Sequence, residues 1–153
     1  VIVFEPDTEN CRKLESNVRL NGLTNVIVVN KALWSEDKTL KFNNKHTAGA
    51  SFFFNASPHA VEISAVSIDN ELARMGISKV DFIKMDIEGS EIRAIEGAKK
   101  VLMGNSVNLA VASYHIINGE ETSTGVEAVL RKFGYEAMTE FPQHKTTYGF
   151  KKC

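Results

Sequence analysis

The segment VDFIKMDIEGSE, residues 80–91, decides the fold. It reads as an apolar strand that ends in acidic residues and a glycine, after which the chain turns into a helix. In an open α/β sheet, ligands bind outside the carboxyl ends of the strands. Asp86 and Glu88 are therefore predicted to lie at the edge of a binding crevice.

The length and charge of the chain limit the partners that it can take. A chain of 153 residues is long enough for one domain, residues 1–153, with its own core. Its 18 basic and 19 acidic residues nearly cancel, and the lysines are scattered along the sequence. Nucleic acid and acidic membrane require a concentrated basic patch. A small or neutral substrate is therefore predicted, with neither a nucleic acid nor a membrane as partner.

The two cysteines form neither a disulfide framework nor a metal-binding spacing. Cys11 and Cys153 are predicted to be free thiols in a reducing compartment. No apolar segment approaches the roughly 20 residues of a membrane span, and no signal peptide is recognised. A cytoplasmic location is therefore expected, and no set of metal ligands is assigned.

The first half of the chain alternates a strand, a helix and a strand. Residues 1–4 and 26–29 are continuous apolar runs, and Asp7 can cap the helix between them, which Gly22 ends. Residues 39–66 break this pattern into short edge strands, which are interpreted as an insertion. Within it, Phe52–Phe54 are predicted to pack in the core or in a subunit interface, with a substrate-lining role as the alternative.

The second half of the chain continues the alternation. Ser67 can cap a short helix, and Ile92, Ile95 and Leu102 mark one face of a helix that ends at Gly104. Further elements are predicted as a strand at 107–112, a helix at 126–133, and two strands at 135–141 and 146–151 separated by a hairpin-length turn. Strands that alternate with helices favour an α/β fold with a parallel sheet covered on both faces.

The chain also resembles a known family. Asp-x-Glu-Gly-x-Glu after Phe-Ile-Lys-Met, at 82–91, is similar to the signature of the FkbM family of S-adenosylmethionine-dependent methyltransferases, which mostly methylate hydroxyls of sugars and polyketides. Residues 1–7 and 21–33 match the family in the same order, so the resemblance covers almost the whole chain. It implies a three-layer Rossmann-like methyltransferase fold, with a mostly parallel sheet and a C-terminal antiparallel hairpin. It also implies an O-methyltransferase that acts on a small molecule or sugar.

Glu5 is the candidate ligand for the ribose of the cofactor S-adenosylmethionine. An acidic residue at the end of a strand can accept hydrogen bonds from both ribose hydroxyls, and the resemblance favours this role. The alternative is a solvated loop carboxylate or a part of the helix cap beside Asp7.

The resemblance implies that Asn30, Lys31, Ala32 and Leu33 lie where the family holds the adenine ring. Ala32 and Leu33 could form a wall against the ring, and ordinary packing at a strand end is the alternative. Lys31 departs from the family pattern because an acid suits the adenine amino group better.

Three roles stay open for Asp86 and Glu88. They could contact the amino-acid end of the cofactor, accept the proton of a substrate hydroxyl as a general base, or hold a divalent cation. The alternative is structural: Asp86 accepts backbone amides of the following turn, while Glu88 or Ser90 caps the helix.

His115 is the third catalytic candidate because it follows the apolar strand at 109–112 and because histidine is a common general base. A structural or solvated histidine is the alternative. The family usually has a glutamate near the end of this strand, where the present sequence has Ala112 and Ser113.

The family normally begins with a strand and a Gly-x-Gly loop, whereas the ten glycines of this chain are single and dispersed. The sequence is therefore expected to be a fragment that lacks the first strand and helix and is inactive by itself. The missing strand would lie between the Glu5 strand and the Asp86 strand. The exposed backbone edges would then be closed by rearrangement, by swapping or by pairing in a homodimer.

Two other functions compete with methyl transfer. The chain could be a non-catalytic α/β interaction module that uses Phe52–Phe54 as an interface. It could also be a nicotinamide-dependent oxidoreductase, since Glu5 could hold the ribose of that cofactor. The terminal hairpin and the Asp86 segment argue against the oxidoreductase.

Overall fold

A computed structural model describes residues 1–43 and 60–151 and has an α/β fold. In these two ranges the longest helix has 13 residues, and no helix is long and apolar enough to cross a membrane. The elements, in chain order, are β1 (Ile2–Phe4), α1 (Thr8–Leu20), β2 (Ile27–Val29), β3 (Ala32–Leu33), β4 (Lys38–Asn43), β5 (Ala60–Val66), α2 (Ile68–Arg74), β6 (Phe82–Met85), α3 (Glu91–Glu96), α4 (Lys99–Gly104), β7 (Asn108–Ala112), β8 (Ile116–Ile117), β9 (Glu120–Glu121), α5 (Ser123–Lys132), β10 (Glu136–Glu140) and β11 (Thr146–Phe150).

The β1–α1–β2 unit follows the sequence prediction. Asp7 caps α1 as predicted, because its Oδ1 accepts the amides of Glu9 at 2.8 Å and Asn10 at 2.9 Å. β1 and β2 run parallel, with Ile2 opposite Ile27. The carboxyl ends of both strands therefore lie at the same edge of this small sheet.

The second sheet has the order β10–β11–β7–β6. β6 and β7 are parallel, whereas β11 is antiparallel to both β7 and β10. The predicted terminal hairpin is therefore confirmed. Because β6 and β7 run in the same direction, the residues that follow them, Asp86 and Ser113, lie at one edge.

Within the described ranges, the strands form four separate sheets in place of the single, mostly parallel sheet that was expected. The ladders β1–β2, β3–β5 and β6–β7 are parallel, and the ladders β4–β5, β7–β11, β8–β9 and β10–β11 are antiparallel. In those ranges β1 and β6 do not pair with each other. The antiparallel share is larger than expected because β4 pairs antiparallel with β5, with Lys38 opposite Ala65. β5 lies between β3 and β4 in a sheet of its own, so the prediction of an edge strand at 61–66 is wrong. Phe52–Phe54 lie outside the described residues.

The core lies between the four-stranded sheet and the helices that cover it. Its fully buried side chains include Ile95, Leu102, Leu109, Val111 and Leu130. The apolar face of α5 is buried through Val126, Val129 and Leu130, as its helical spacing predicts. This packing fixes the ends of β6 and β7 relative to α3.

The prediction of one continuous helix after the Asp86 strand is wrong, because α3 ends at Glu96 and α4 begins at Lys99. Asp69 explains the break. Its carboxylate, on α2, accepts the amides of Lys100 at 2.7 Å and Val101 at 2.9 Å and so caps α4. The carbonyl of Gly97, in the break, accepts the amide of Asp69 at 2.9 Å.

A cluster of charged side chains joins α2 to the segment between β2 and β4. The Glu71 carboxylate accepts Lys31 Nζ at 2.8 and 2.9 Å and Arg74 Nη1 at 2.6 Å. Arg74 also pairs with Asp37. The Ser67 amide donates to Asp37 Oδ1 at 3.0 Å. This hydrogen bond and Arg74 lower the pKa of Asp37 to about 2.

Asp37→Asn should lower stability at pH 7, and the loss should shrink in acid. A lowered folded-state pKa gives stabilisation that is present above the ordinary pKa of 3.8 and disappears as the pH falls through about 2. Because the Asp37 side chain is 31% exposed, solvent screening reduces the expected loss to about 1 kcal/mol. Urea unfolding of both proteins between pH 7 and pH 3 measures it.

Asp81→Asn is the matched control, because Asp81 pairs with Lys79 at 3.1 Å on a surface where both side chains are mostly exposed. It should change stability by no more than a few tenths of a kcal/mol. A loss in Asp37→Asn that stayed constant from pH 7 to pH 3 would contradict the assignment.

Candidate active site

The turn after β6 brings acidic groups to the edge of the four-stranded sheet. Glu88 has φ +55° and Gly89 has φ +94°, so the backbone reverses within two residues before α3 begins. This left-handed conformation is unusual for a glutamate. At this turn the Asp86 side chain is 37% exposed and the Glu88 side chain is 41% exposed, so both are accessible to solvent.

His115 joins these acids from the end of β7. Its Nε2 lies 3.7 Å from Asp86 Oδ1 and 3.5 Å from Glu88 Oε2. Its side chain is only 9% exposed. The three residues predicted to be catalytic therefore come together at one place, although the role of each stays a prediction.

A fourth group, Glu91, is the first residue of α3 and contacts His115 on the buried side of the cluster. Its side chain is 0% exposed, and its Oε1 lies 3.3 Å from His115 Nδ1. The same oxygen accepts the amides of Ile87 at 2.9 Å and Gly89 at 3.3 Å. Burial raises the pKa of the Glu91 carboxyl, although these amides and His115 act in the opposite direction.

The structural alternative for Asp86, Glu88 and Ser90 was that they accept backbone amides of the turn or cap the helix. In the structure, Glu91 accepts the amides of the turn. The Ser90 side chain makes no capping hydrogen bond to α3. Asp86 Oδ1 accepts a hydrogen bond from Tyr114 Oη at 3.2 Å. Asp86 is thus held by a side chain from the neighbouring strand end.

Tyr114 connects the acidic cluster to the terminal hairpin. Its ring centroid lies 4.3 Å from that of His115 and 4.1 Å from that of His144. Burial and the Asp86 carboxylate raise the pKa of Tyr114, so its hydroxyl stays a donor near neutral pH. His144 also lines an open cavity of about 600 Å³, which Phe141, Pro142, Gln143 and Thr146 complete.

Glu5 and Asn30 meet at the carboxyl ends of β1 and β2. Asn30 Nδ2 donates to the carbonyl oxygens of Glu5 at 2.9 Å and Pro6 at 3.1 Å. Cys11 Sγ donates to the Glu5 carbonyl at 3.1 Å. Glu5 Oε1 accepts the amide of Asp7 at 2.8 Å, a contact of the kind that the cap alternative anticipated. The Glu5 side chain is therefore held at the strand end in a fixed direction.

The other adenine candidates have different surroundings. Lys31 Nζ is bound to the Glu71 carboxylate, Ala32 is buried and Leu33 packs against the core. The Lys31 ammonium thus has a structural partner, which agrees with its poor match to an adenine-binding role. The cofactor roles of Asn30, Lys31, Ala32 and Leu33 stay predictions.

Sequence reasoning missed Glu91, Tyr114 and His144. Glu91 is the last acid of the Asp-x-Glu-Gly-x-Glu pattern, so the motif itself carried a signal for it. Tyr114 directly precedes His115, but nothing in its spacing indicates that its hydroxyl reaches Asp86. The contact between His144 and Tyr114 depends on the pairing of β11 with β7.

Comparisons with known proteins agree with this architecture. The family model described as the methyltransferase FkbM domain matches residues 1–137. A crystal structure of the methyltransferase FkbM from Methylobacillus flagellatus superposes with a TM-score of 0.65 at 21% sequence identity. That match covers 98% of this chain and 36% of the other, so this chain spans about a third of the length of that protein. A comparison with curated proteins finds no match.

Proposed function

Because the chain belongs to the FkbM methyltransferase family, we propose that it takes part in methyl transfer from S-adenosylmethionine to a hydroxyl of a small molecule or sugar. The observation that carries this proposal is the convergence of Asp86, Glu88 and His115 at the ends of β6 and β7. Ligands of open α/β sheets bind at this edge. A hydroxyl acceptor needs a proton acceptor within reach, and the cluster offers three such groups.

The proposed reaction is a direct displacement. The acceptor oxygen forms a bond to the methyl carbon while the bond from that carbon to the sulfonium sulfur breaks, which leaves S-adenosylhomocysteine as a neutral thioether. The hydroxyl proton passes to Asp86, Glu88 or His115. Alignment of oxygen, carbon and sulfur supplies much of the acceleration, because the methyl group is already activated by the positive sulfur.

The proposed cofactor contacts come from two strand ends. Glu5 would accept the ribose hydroxyls through its carboxylate, whose direction is fixed by the Asp7 amide. Ala32 and Leu33 would flank the adenine, and Asp86 would contact the amino-acid end of the cofactor. The acceptor would approach from the hairpin side, where the cavity beside His144 lies.

Titration with S-adenosylhomocysteine tests cofactor binding. We expect the ligand to raise the unfolding midpoint of the protein by mass action. Glu5→Gln should weaken binding by about 10- to 100-fold, because the charged acceptor of two hydrogen bonds becomes neutral. Isothermal calorimetry gives the affinity of each protein.

Glu15→Gln removes the same charge from the exposed side of α1 and serves as the matched control. It should leave the affinity unchanged. Equal losses in both variants, or no binding by the wild-type protein, would contradict the proposed ribose contact. The expectation that this chain is inactive by itself stays a separate prediction, as does pairing with a second copy.

The family assignment favours methyl transfer over nicotinamide chemistry. The hypothesis of a non-catalytic interaction module depends on Phe52–Phe54, which lie outside the described residues. No contact in the described part of the chain favours either alternative as a second function.

A further inference from the structure

We propose that Asp86, Glu91 and His115 form a binding site for a divalent transition-metal ion such as Zn²⁺ or Mn²⁺. Each residue offers one ligand atom, and these three atoms all lie within 4.8 Å of one another. They come from three different positions in the fold: the end of β6, the start of α3 and the end of β7. Their proximity is therefore produced by the tertiary structure.

Unpartnered buried atoms provide the second, independent observation. Glu91 Oε2 and both ring nitrogens of His115 are buried and have no hydrogen-bond partner in the described part of the chain. The Glu91 side chain is fully buried, and that of His115 is 91% buried. A buried polar atom without a partner costs free energy, and an ion bound among these atoms would remove that cost.

The separations suit a shared ion better than direct hydrogen bonds. His115 Nδ1 lies 3.3 Å from Glu91 Oε1, yet the nitrogen makes no hydrogen bond. Two ligands that bind one ion at about 2.1 Å lie about 3.0 to 3.4 Å apart in octahedral or tetrahedral geometry. One imidazole binds an ion through a single nitrogen, so Nδ1, which faces Glu91, and Nε2, which lies 3.7 Å from Asp86 Oδ1, cannot both bind it. With one ligand atom taken from each residue, the three atoms still lie within 4.8 Å of one another. The Asp86 side chain, 37% exposed, would turn toward the ion and exchange its hydrogen bond from Tyr114 for the metal.

The charges and donor types select the class of ion. Two carboxylates and a neutral imidazole carry a charge of −2, which balances a divalent cation. Imidazole nitrogen is a good ligand for zinc and other first-row transition metals, whereas magnesium and calcium prefer oxygen alone. Glu88, whose Oε2 lies 3.5 Å from His115 Nε2, is available as a further ligand.

The backbone prepares Glu91 for this role. The amides of Ile87 and Gly89 donate to its Oε1, which leaves Oε2 as the unpartnered oxygen. Hydrogen bonds of this kind orient ligand side chains in metal sites. A cation in the cluster would also polarise a substrate hydroxyl beside it, a consequence that rests on the proposed function. Metal binding itself does not depend on that function.

The test is a metal titration of the whole protein without cofactor. The visible absorption of bound Co²⁺ reports the coordination, and Zn²⁺ is then added to displace the Co²⁺. We expect one Zn²⁺ per chain and much weaker binding of Mg²⁺. Asp86→Asn and His115→Gln should each weaken Zn²⁺ binding by about 10- to 100-fold or more. Circular dichroism confirms that each variant is folded.

His144→Gln is the matched control, since the His144 ring contacts Tyr114 but offers no ligand to the cluster. It should leave the Zn²⁺ affinity unchanged. Failure of the wild-type protein to bind Zn²⁺ or Co²⁺, or equal affinity in Asp86→Asn, His115→Gln and His144→Gln, would overturn the proposal. Because the readout uses metal alone, this failure is distinguishable from failure to bind S-adenosylhomocysteine.

Discussion

Gly97→Ala is expected to destabilise the protein by about 2 to 3 kcal/mol, the upper part of the range for overpacking a filled interior. A Cβ at this position would overlap the carbonyl oxygen of Trp34 and lie 3.1 Å from its carbonyl carbon. The Ser35 Cα would be 3.2 Å away. All three atoms belong to the backbone, so no side chain can rotate to make room. Urea unfolding at neutral pH measures the loss.

Gly104→Ala is the matched control for this substitution. Gly104 is the last residue of α4, and a Cβ there would meet no atom within 4 Å. Alanine should stabilise the protein by about 0.5 kcal/mol, because it restricts the unfolded chain and suits a helix. If Gly97→Ala were as stable as Gly104→Ala, the end of α3 would not approach the Trp34 backbone as closely as described.

Glu91→Ala is expected to destabilise the protein by about 3 kcal/mol, because the amides of Ile87 and Gly89 lose their acceptor. The removed side chain is fully buried, so its loss also leaves a cavity. Unfolding is measured in the presence of a chelator, which excludes any contribution from bound metal.

Glu91→Gln separates the shape of the side chain from its charge. Glutamine keeps a carbonyl oxygen in place for the two amides and nearly the same volume. The free energy of unfolding of Glu91→Gln should therefore exceed that of Glu91→Ala by at least about 2 kcal/mol. Equal destabilisation by alanine and glutamine would contradict the view that Glu91 holds the turn by accepting backbone amides.

The sequence predicted most of the local structure correctly. The helices capped by Asp7 and Ser67, the α5 face with Val126, and the terminal hairpin are all present. These features depend on residues within a few positions of one another, since caps, helical spacing and short turns are local. The family was also recognised from the 82–91 segment, and its assignment is confirmed.

Long-range contacts explain where the sequence prediction was wrong. Ile92, Ile95 and Leu102 share one apolar pattern, which indicated one helix. Asp69 instead caps a new helix from a position 31 residues before Lys100. No local pattern shows that a carboxylate from α2 reaches those amides.

The candidate site shows the same difference. The order of residues around 86–91 by itself determined a strand, a sharp turn and a helix with acids at the sheet edge, because those preferences are local. Only the tertiary structure decided that His115 would lie beside Asp86 and Glu91 and that Glu91 would be buried. The parallel pairing of β6 and β7, with Met85 opposite Val111, places their ends side by side, although α3 and α4 separate the two strands in the sequence.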